Sequence, residues 1–202
     1  MTFLGYKPST LALWVVLSLP ALTMIGPLLG DDARAFHRLL HPTGEWAARF
    51  MIIGMMASGL MLLFRGRQWP RWLVRHRRDI EVAAFLYAAL HALIYVIDRG
   101  TVERIIEQLS QLRIWTGWLA FVIFVPLAVT SNDAAQRWLG TGWKTMQRLA
   151  WPAAVLVLFH WAAMKDWGGW QPAAIHFGPL LALWAYRLWY WYLRPRAPLA
   201  AA

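Results

Sequence analysis

The sequence predicts an all-α, polytopic membrane protein: a bundle of six transmembrane helices with both termini in the cytoplasm. Three observations carry that prediction. Hydrophobic residues make up 59% of the 202 and charged residues only 15%, against roughly 45–50% apolar in an ordinary soluble domain. The apolar residues fall into six runs of about 20, the length that crosses a bilayer core. The basic residues gather between those runs and do so unevenly, which is how a chain marks its cytoplasmic side.

The first span is expected over about Thr10 to Leu29, with Pro20 as a kink that neighbouring helices can absorb. It lacks a small-residue cleavage site and is read as a retained span. A polar loop follows from Gly30 to Gly44. The second span runs from about Glu45 to Phe64, with Gly54, Ser58 and Gly59 offering small faces for close packing. Six arginines come next: Arg65, Arg67, Arg71, Arg75, Arg77 and Arg78. The third span, about Asp79 to Ile97, contains His91. In the following loop, TVERIIEQLSQL has the spacing of a short interfacial helix. The fourth span covers about Ile114 to Thr130, with a kink at Pro126. A loop through Lys144 leads to the fifth, about Met146 to Met164, which contains His160. The sixth, about Ala173 to Leu193, ends in an aromatic and basic anchor, WAYRLWYWYLRPR. No internal repeat is seen, and the tail from about Pro195 is expected to be loose. Residues 1–202 are read as one domain.

Counting Lys and Arg in alternate loops gives twelve on the side of the termini and six on the other. Spans one, three and five therefore run outward. The net charge of +10 is a membrane topology signal here, not a nucleic-acid footprint. Cysteine is absent, which excludes disulfides, iron–sulfur clusters and thioether-linked heme.

Two histidines lie deep in apolar runs, His91 in AFLYAALHALIYVI and His160 in PAAVLVLFHWAAM. A polar ring at that depth needs a partner. His91 stands 12 residues into its span, about 18 Å, and His160 stands 14 residues into its own, about 21 Å. The two rings are thus expected at matched depth in the outer half of the membrane, positioned to bind one b-type heme axially. Each His bonding to the bundle is the plainer alternative. A zinc or copper site lacks further ligands at that level. Phe85, Tyr87, Leu90, Tyr95, Leu156, Phe159 and Trp161 supply apolar walls. His176 is a substitute or supporting ligand candidate. His37 and His41 are read as loop residues and His76 as a headgroup contact. Arg77 and Arg78 are the arginines best placed to meet heme propionates, a quinone or a flavin phosphate on the inner face.

TGEWAARF (43–50), RRDIEVAAFLYAALHALIY (77–95), TGWLAF…PLAVTS (116–131) and RWLGTGWKTMQRLAW…LFHW (137–161) together resemble the MsrQ family. These are heme-binding membrane subunits of periplasmic methionine sulfoxide reductase systems, within the ferric reductase-like transmembrane group. The resemblance implies a bacterial inner-membrane bundle with His91 and His160 as ligands of heme b. It also implies electron delivery from a cytoplasmic flavin reductase or from quinol to a periplasmic reductase, and FMN in some members. Two positions depart from the family pattern. Gln147 stands where the family usually has a third histidine, and Glu81 where it tends to have a small residue. The departures point to a single heme, or to a paralog serving another reductase. A stand-alone ferric or quinone reductase is the alternative function. A non-redox transporter or assembly protein ranks third, since the acidic residues lie near span ends.

Overall fold

The computed structural model describes residues 8–194. The expected loose tail from Pro195 lies outside the described residues, as do Lys7 and Arg196 of the charge count. All secondary structure among the described residues is helical. The helices are α1 (Pro8–Thr23), α2 (Ala35–Leu63), α3 (Gln68–Arg75), α4 (Arg77–Arg99), α5 (Val102–Gln108), α6 (Leu112–Val129), α7 (Asp133–Leu139), α8 (Thr141–Gln147), α9 (Ala150–Ala162) and α10 (Trp170–Leu188). A π-turn, Trp189–Leu193, prolongs α10. Three helices, α2, α4 and α6, are long and apolar enough to cross a membrane. The chain is an integral membrane protein by these helices.

The structure corrects several boundaries. The loop expected from Gly30 to Gly44 is mostly helix, because α2 begins at Ala35 and runs through Pro42 and Gly44. Asp32 starts it: its carboxylate accepts the Arg34 N–H at 3.0 Å, and its carbonyl accepts the Ala35 N–H. His37 and His41 consequently sit on the first turns of α2, facing Asp98 and Glu45. The arginine cluster holds a short helix, α3, and the loop before Lys144 holds α7 and α8. Such short pieces leave little periodicity to read. The helix that carries His160 begins at Ala150, not Met146. His76 is buried, not at a headgroup. Its ring packs 4.7 Å from that of Trp72, and its Nδ1 lies 3.3 Å from Asp79.

The packing has a simple plan. Helix α2 packs chiefly on α4, and α6 chiefly on α9. Helix α10 lies against α2 and α9 and so joins the two pairs. Small residues set the close approaches. A Cβ on Gly54 would stand 2.7 Å from Glu81 Cγ on α4, and one on Gly59 would stand 3.2 Å from Leu183 Cβ on α10. Helix α1 is tied on by polar contacts. The Tyr87 hydroxyl donates to Leu17 O and accepts from Ala21 N–H, each at 2.9 Å, and so enters the ladder beside Pro20. Trp14 Nε1 donates to Asp79 at 3.3 Å. The core gathers Phe50, Met51, Met55, Ile80, Ala84, Ile94, Phe177 and Leu180 between these elements.

Candidate functional site

His91 on α4 and His160 on α9 face each other across the interior. Their ring centroids lie 6.2 Å apart and their planes cross at 77°. The match of depth does not come from equal offsets. His91 is 14 residues into α4 and His160 is 10 into α9, about 21 and 15 Å along the two axes. Because α8 and the turn after it take the residues expected to open span five, α9 starts about one turn later than expected, and the rings still meet.

Each ring is fixed through Nδ1. His91 Nδ1 lies 2.9 Å from Leu40 O and 3.2 Å from Thr43 Oγ1. His160 Nδ1 bonds Arg113 O. A carbonyl can only accept, so in both rings Nδ1 carries the proton and donates. The neutral ring then presents Nε2 as a bare lone pair, the state a metal-ligating imidazole needs. Neither Nε2 has a hydrogen-bond partner among the described residues. A metal bonded to both Nε2 atoms at about 2 Å would hold the centroids roughly 6 Å apart, close to the observed separation.

Helices α2 and α6 hold their histidines by the same local device. On α2 the carbonyl of Leu40 takes the imidazole, Thr43 follows three residues on and Gly44 four. On α6 the carbonyl belongs to Arg113, followed by Thr116 and Gly117 at the same offsets. Both threonines are buried and return their hydroxyls to the helix, Thr43 to Leu39 O at 2.7 Å and Thr116 to Leu112 O at 2.6 Å. Both glycines lie under a ring. A Cβ would stand 3.1 Å from His91 Nδ1 at Gly44 and 2.7 Å from His160 Nδ1 at Gly117. A sequence without a whole-span repeat thus carries a local one. The available signal was the Thr-Gly dipeptide, because a helix-interior glycine costs about 1 kcal/mol against alanine and marks a close approach.

The other expected residues stand elsewhere. Arg77 lies 14 residues before His91 on α4, about 21 Å away along the axis. It bonds Glu81 at 2.6 Å, and Arg78 bonds Asp133 at 2.5 Å and Gln136 at 3.3 Å. The structure does not bring either arginine to the histidine pair. His176 packs on Trp161 with centroids 4.7 Å apart. Both its nitrogens are engaged, Nδ1 with Pro172 O at 2.7 Å and Nε2 with Arg49 Nε at 3.2 Å. Gln147 donates to Leu127 O at 3.2 Å and so caps a carbonyl in the last turn of α6. Of the expected walls, Tyr87 serves α1, Tyr95 donates to Gln108, and Phe85 stacks on Phe121 at 5.9 Å. No cluster of three metal-ligating residues exists among the described residues. Two neighbouring imidazoles without a third ligand suit a cofactor that needs only two protein ligands, such as an iron macrocycle.

Fold and site define a helical membrane protein with two histidine rings side by side in its interior. The family of the ferric reductase like transmembrane component matches residues 43–158, which include Gly44, His91 and Gly117. Several curated relatives are each named protein-methionine-sulfoxide reductase heme-binding subunit MsrQ. That of Agrobacterium fabrum is 29% identical over 91% of this chain and 85% of its own length. The Rhizobium meliloti protein is 33% identical over 78% and 73%, and the Brucella ovis protein 32% over 86% and 76%. No solved structure matches. The chain belongs to the MsrQ family of ferric reductase-like membrane proteins.

Proposed function

We propose that this chain is a b-type membrane cytochrome, the electron-carrying subunit of a periplasmic methionine sulfoxide reductase. The observation that carries this is the His91–His160 pair, with both Nδ1 atoms committed to backbone carbonyls and both Nε2 atoms without a protein partner. The names of the relatives, each a heme-binding subunit, agree with it.

In this reading the two Nε2 atoms hold one heme b per chain. When bound, that heme supplies one-electron transfer between ferric and ferrous iron. The protein's residues do the rest. Leu40 O, Thr43 and Arg113 O fix the tautomer and the orientation of the imidazoles and raise their basicity. Gly44 and Gly117 let the rings lie against the helices.

The topology that goes with this reading has α1, α2, α4, α6, α9 and α10 as six spans in the bacterial inner membrane and both termini in the cytoplasm. Helix α9 has 13 residues, about 20 Å, and needs α8 and the turn between them to complete its crossing. Electrons enter from a cytoplasmic flavin reductase or from quinol and leave to a periplasmic reductase.

The test is the reduced-minus-oxidised visible spectrum of the detergent-purified protein with a hemochrome count per chain. We expect one b heme in the wild type and none in His91→Ala or His160→Ala. A full low-spin spectrum in both single variants would refute the assignment.

A further inference from the structure

We propose that the cleft between the end of α2 and the end of α10 binds the phosphate of an anionic phospholipid, with Arg187 and Arg65 neutralising it. The inference rests on the membrane topology proposed above. Arg49 lies within α2, and Arg187 lies in the last turn of α10, which the π-turn prolongs to Leu193. A charge at such a place needs a counter-charge. Arg49 has one in Glu45, at 2.6 Å. Among the described residues Arg187 has only the Ser58 hydroxyl at 3.1 Å and the face of Trp151, 6.0 Å away.

All ten Asp and Glu residues of the chain lie within the described residues. None of them pairs with Arg187, Arg65 or Arg194 among the described residues. Arg187 stands six residues before Leu193, where the α–π run ends. That places it about 9 Å from the helix end.

The cleft has the two-sided character of a phospholipid. Its volume is about 370 Å³, and it is lined by Ser58, Met61, Leu62, Arg65, Arg187 and Trp191. Two guanidiniums and a hydroxyl occupy its polar part, and Met61, Leu62 and Trp191 offer the acyl chains an apolar wall. The guanidinium of Arg65 rests over the Tyr190 ring at 4.5 Å, beside the cleft that Arg65 lines. Trp191 is 58% exposed, as befits an aromatic at the interface. Arginine forks suit phosphate oxygens, and basic pockets between spans on the cytoplasmic side are where anionic headgroups bind. A neutral quinone ring filling the same space would leave the half-buried Arg187 without a counter-charge.

Native mass spectrometry of the full-length protein, equilibrated with equal amounts of phosphatidylglycerol and phosphatidylcholine, tests this. At about 1 kcal/mol per arginine, the wild type should retain phosphatidylglycerol over phosphatidylcholine by roughly tenfold or more. Arg65→Gln and Arg187→Gln should each cut that preference about fivefold, the double variant should abolish it, and Arg187→Lys should keep most of it. If Arg187→Gln does not fold, the exposed Arg65→Gln and Ser58→Ala carry the test. Equal retention of the two lipids by the wild type overturns the proposal, as does an unchanged preference in Arg65→Gln and Ser58→Ala. Displacement of phosphatidylglycerol by millimolar inorganic phosphate overturns the lipid as the occupant. The heme spectrum is read on the same samples. Its absence beside an intact lipid preference strikes the cytochrome reading of the histidine pair alone.

Discussion

Alanine at Gly117 reaches the histidine pair without touching a ligand. The new Cβ would stand 2.7 Å from His160 Nδ1 and 2.9 Å from Cε1. Ordinary contact begins at 3.4 Å, so the ring must retreat by about 0.7 Å. The imidazole is no free flexible end, because its Nδ1–H is bonded to Arg113 O on the same helix. Retreat loosens that bond and moves Nε2 by more than the roughly 0.5 Å within which a functional constellation must be held. Alanine at Gly44 makes a calibrated comparison. Its Cβ would stand 3.1 Å from His91 Nδ1 and Cε1, a shortfall of about 0.3 Å, inside the same tolerance. Overpacking costs about 1–3 kcal/mol, and the helix propensity of alanine returns about 1 kcal/mol, so both variants should fold. The assay is heme per polypeptide, with the low-spin spectrum, after purification in parallel with Gly142→Ala, where a Cβ meets nothing within 4 Å. We expect Gly142→Ala at the wild-type ratio, Gly44→Ala at most of it, and Gly117→Ala at a small fraction or in high-spin form. A full low-spin complement in Gly117→Ala would show that the ring position seen here does not control ligation, and the reasoning from the glycines would fail with it.

Thr43→Val keeps the shape of a buried side chain but removes the oxygen 3.2 Å from His91 Nδ1. It should retain heme and raise the midpoint potential by about 20 mV, from roughly 0.5 kcal/mol of lost support to the ferric state; an unchanged potential in a redox titration counts against a tuning role. Gly54→Ala should destabilise the solubilised protein by about 1–3 kcal/mol, since its Cβ overlaps Glu81 Cγ. Adding Glu81→Ala should restore most of the loss in thermal unfolding, and additive effects in that cycle would place the strain elsewhere. The Arg78 guanidinium holds the Asp133 carboxyl below the usual carboxylate range, through a hydrogen bond first and charge second. A depressed folded value means that the pair stabilises above the ordinary carboxylate value near 3.9 and loses that contribution as pH falls through the lower one. The gap in thermal midpoint between wild type and Asp133→Asn should therefore be present at pH 6 and close on strong acidification; a gap that stays constant to pH 3 argues against the pair.

The histidine clamps also bear on how the bundle is built. Each Thr-Gly pair joins a helix to the partner on which it packs most heavily, α2 to α4 and α6 to α9. Ligand positioning and helix pairing thus use the same contacts. A substitution that loosens either pair is expected to change the heme site before it changes the helix count, because the rings are held by backbone carbonyls and not by flexible side chains.

The sequence by itself determined the membrane class, since 59% hydrophobic residues in long runs leave no soluble fold open. It also singled out the two histidines that the structure brings together: the depth of His91 and His160 in apolar runs is a one-dimensional property, and so is the absence of cysteine. The short helix at Val102–Gln108 was legible for the same reason, in its local spacing. Polar and breaker residues were harder to read. Residues 30–44 look like a loop, yet Pro42 and Gly44 lie in a helix because packing on α4 and the Asp32 contacts outweigh local propensity. Only the tertiary structure decided that Leu40 and Arg113 carbonyls fix the rings, because every residue has a carbonyl and nothing in a sequence marks one. The partners of Arg77, Arg78 and His176 were decided there too, by what the fold carried within reach. So was the isolation of Arg187, which follows from where all ten carboxylates of the chain end up in space.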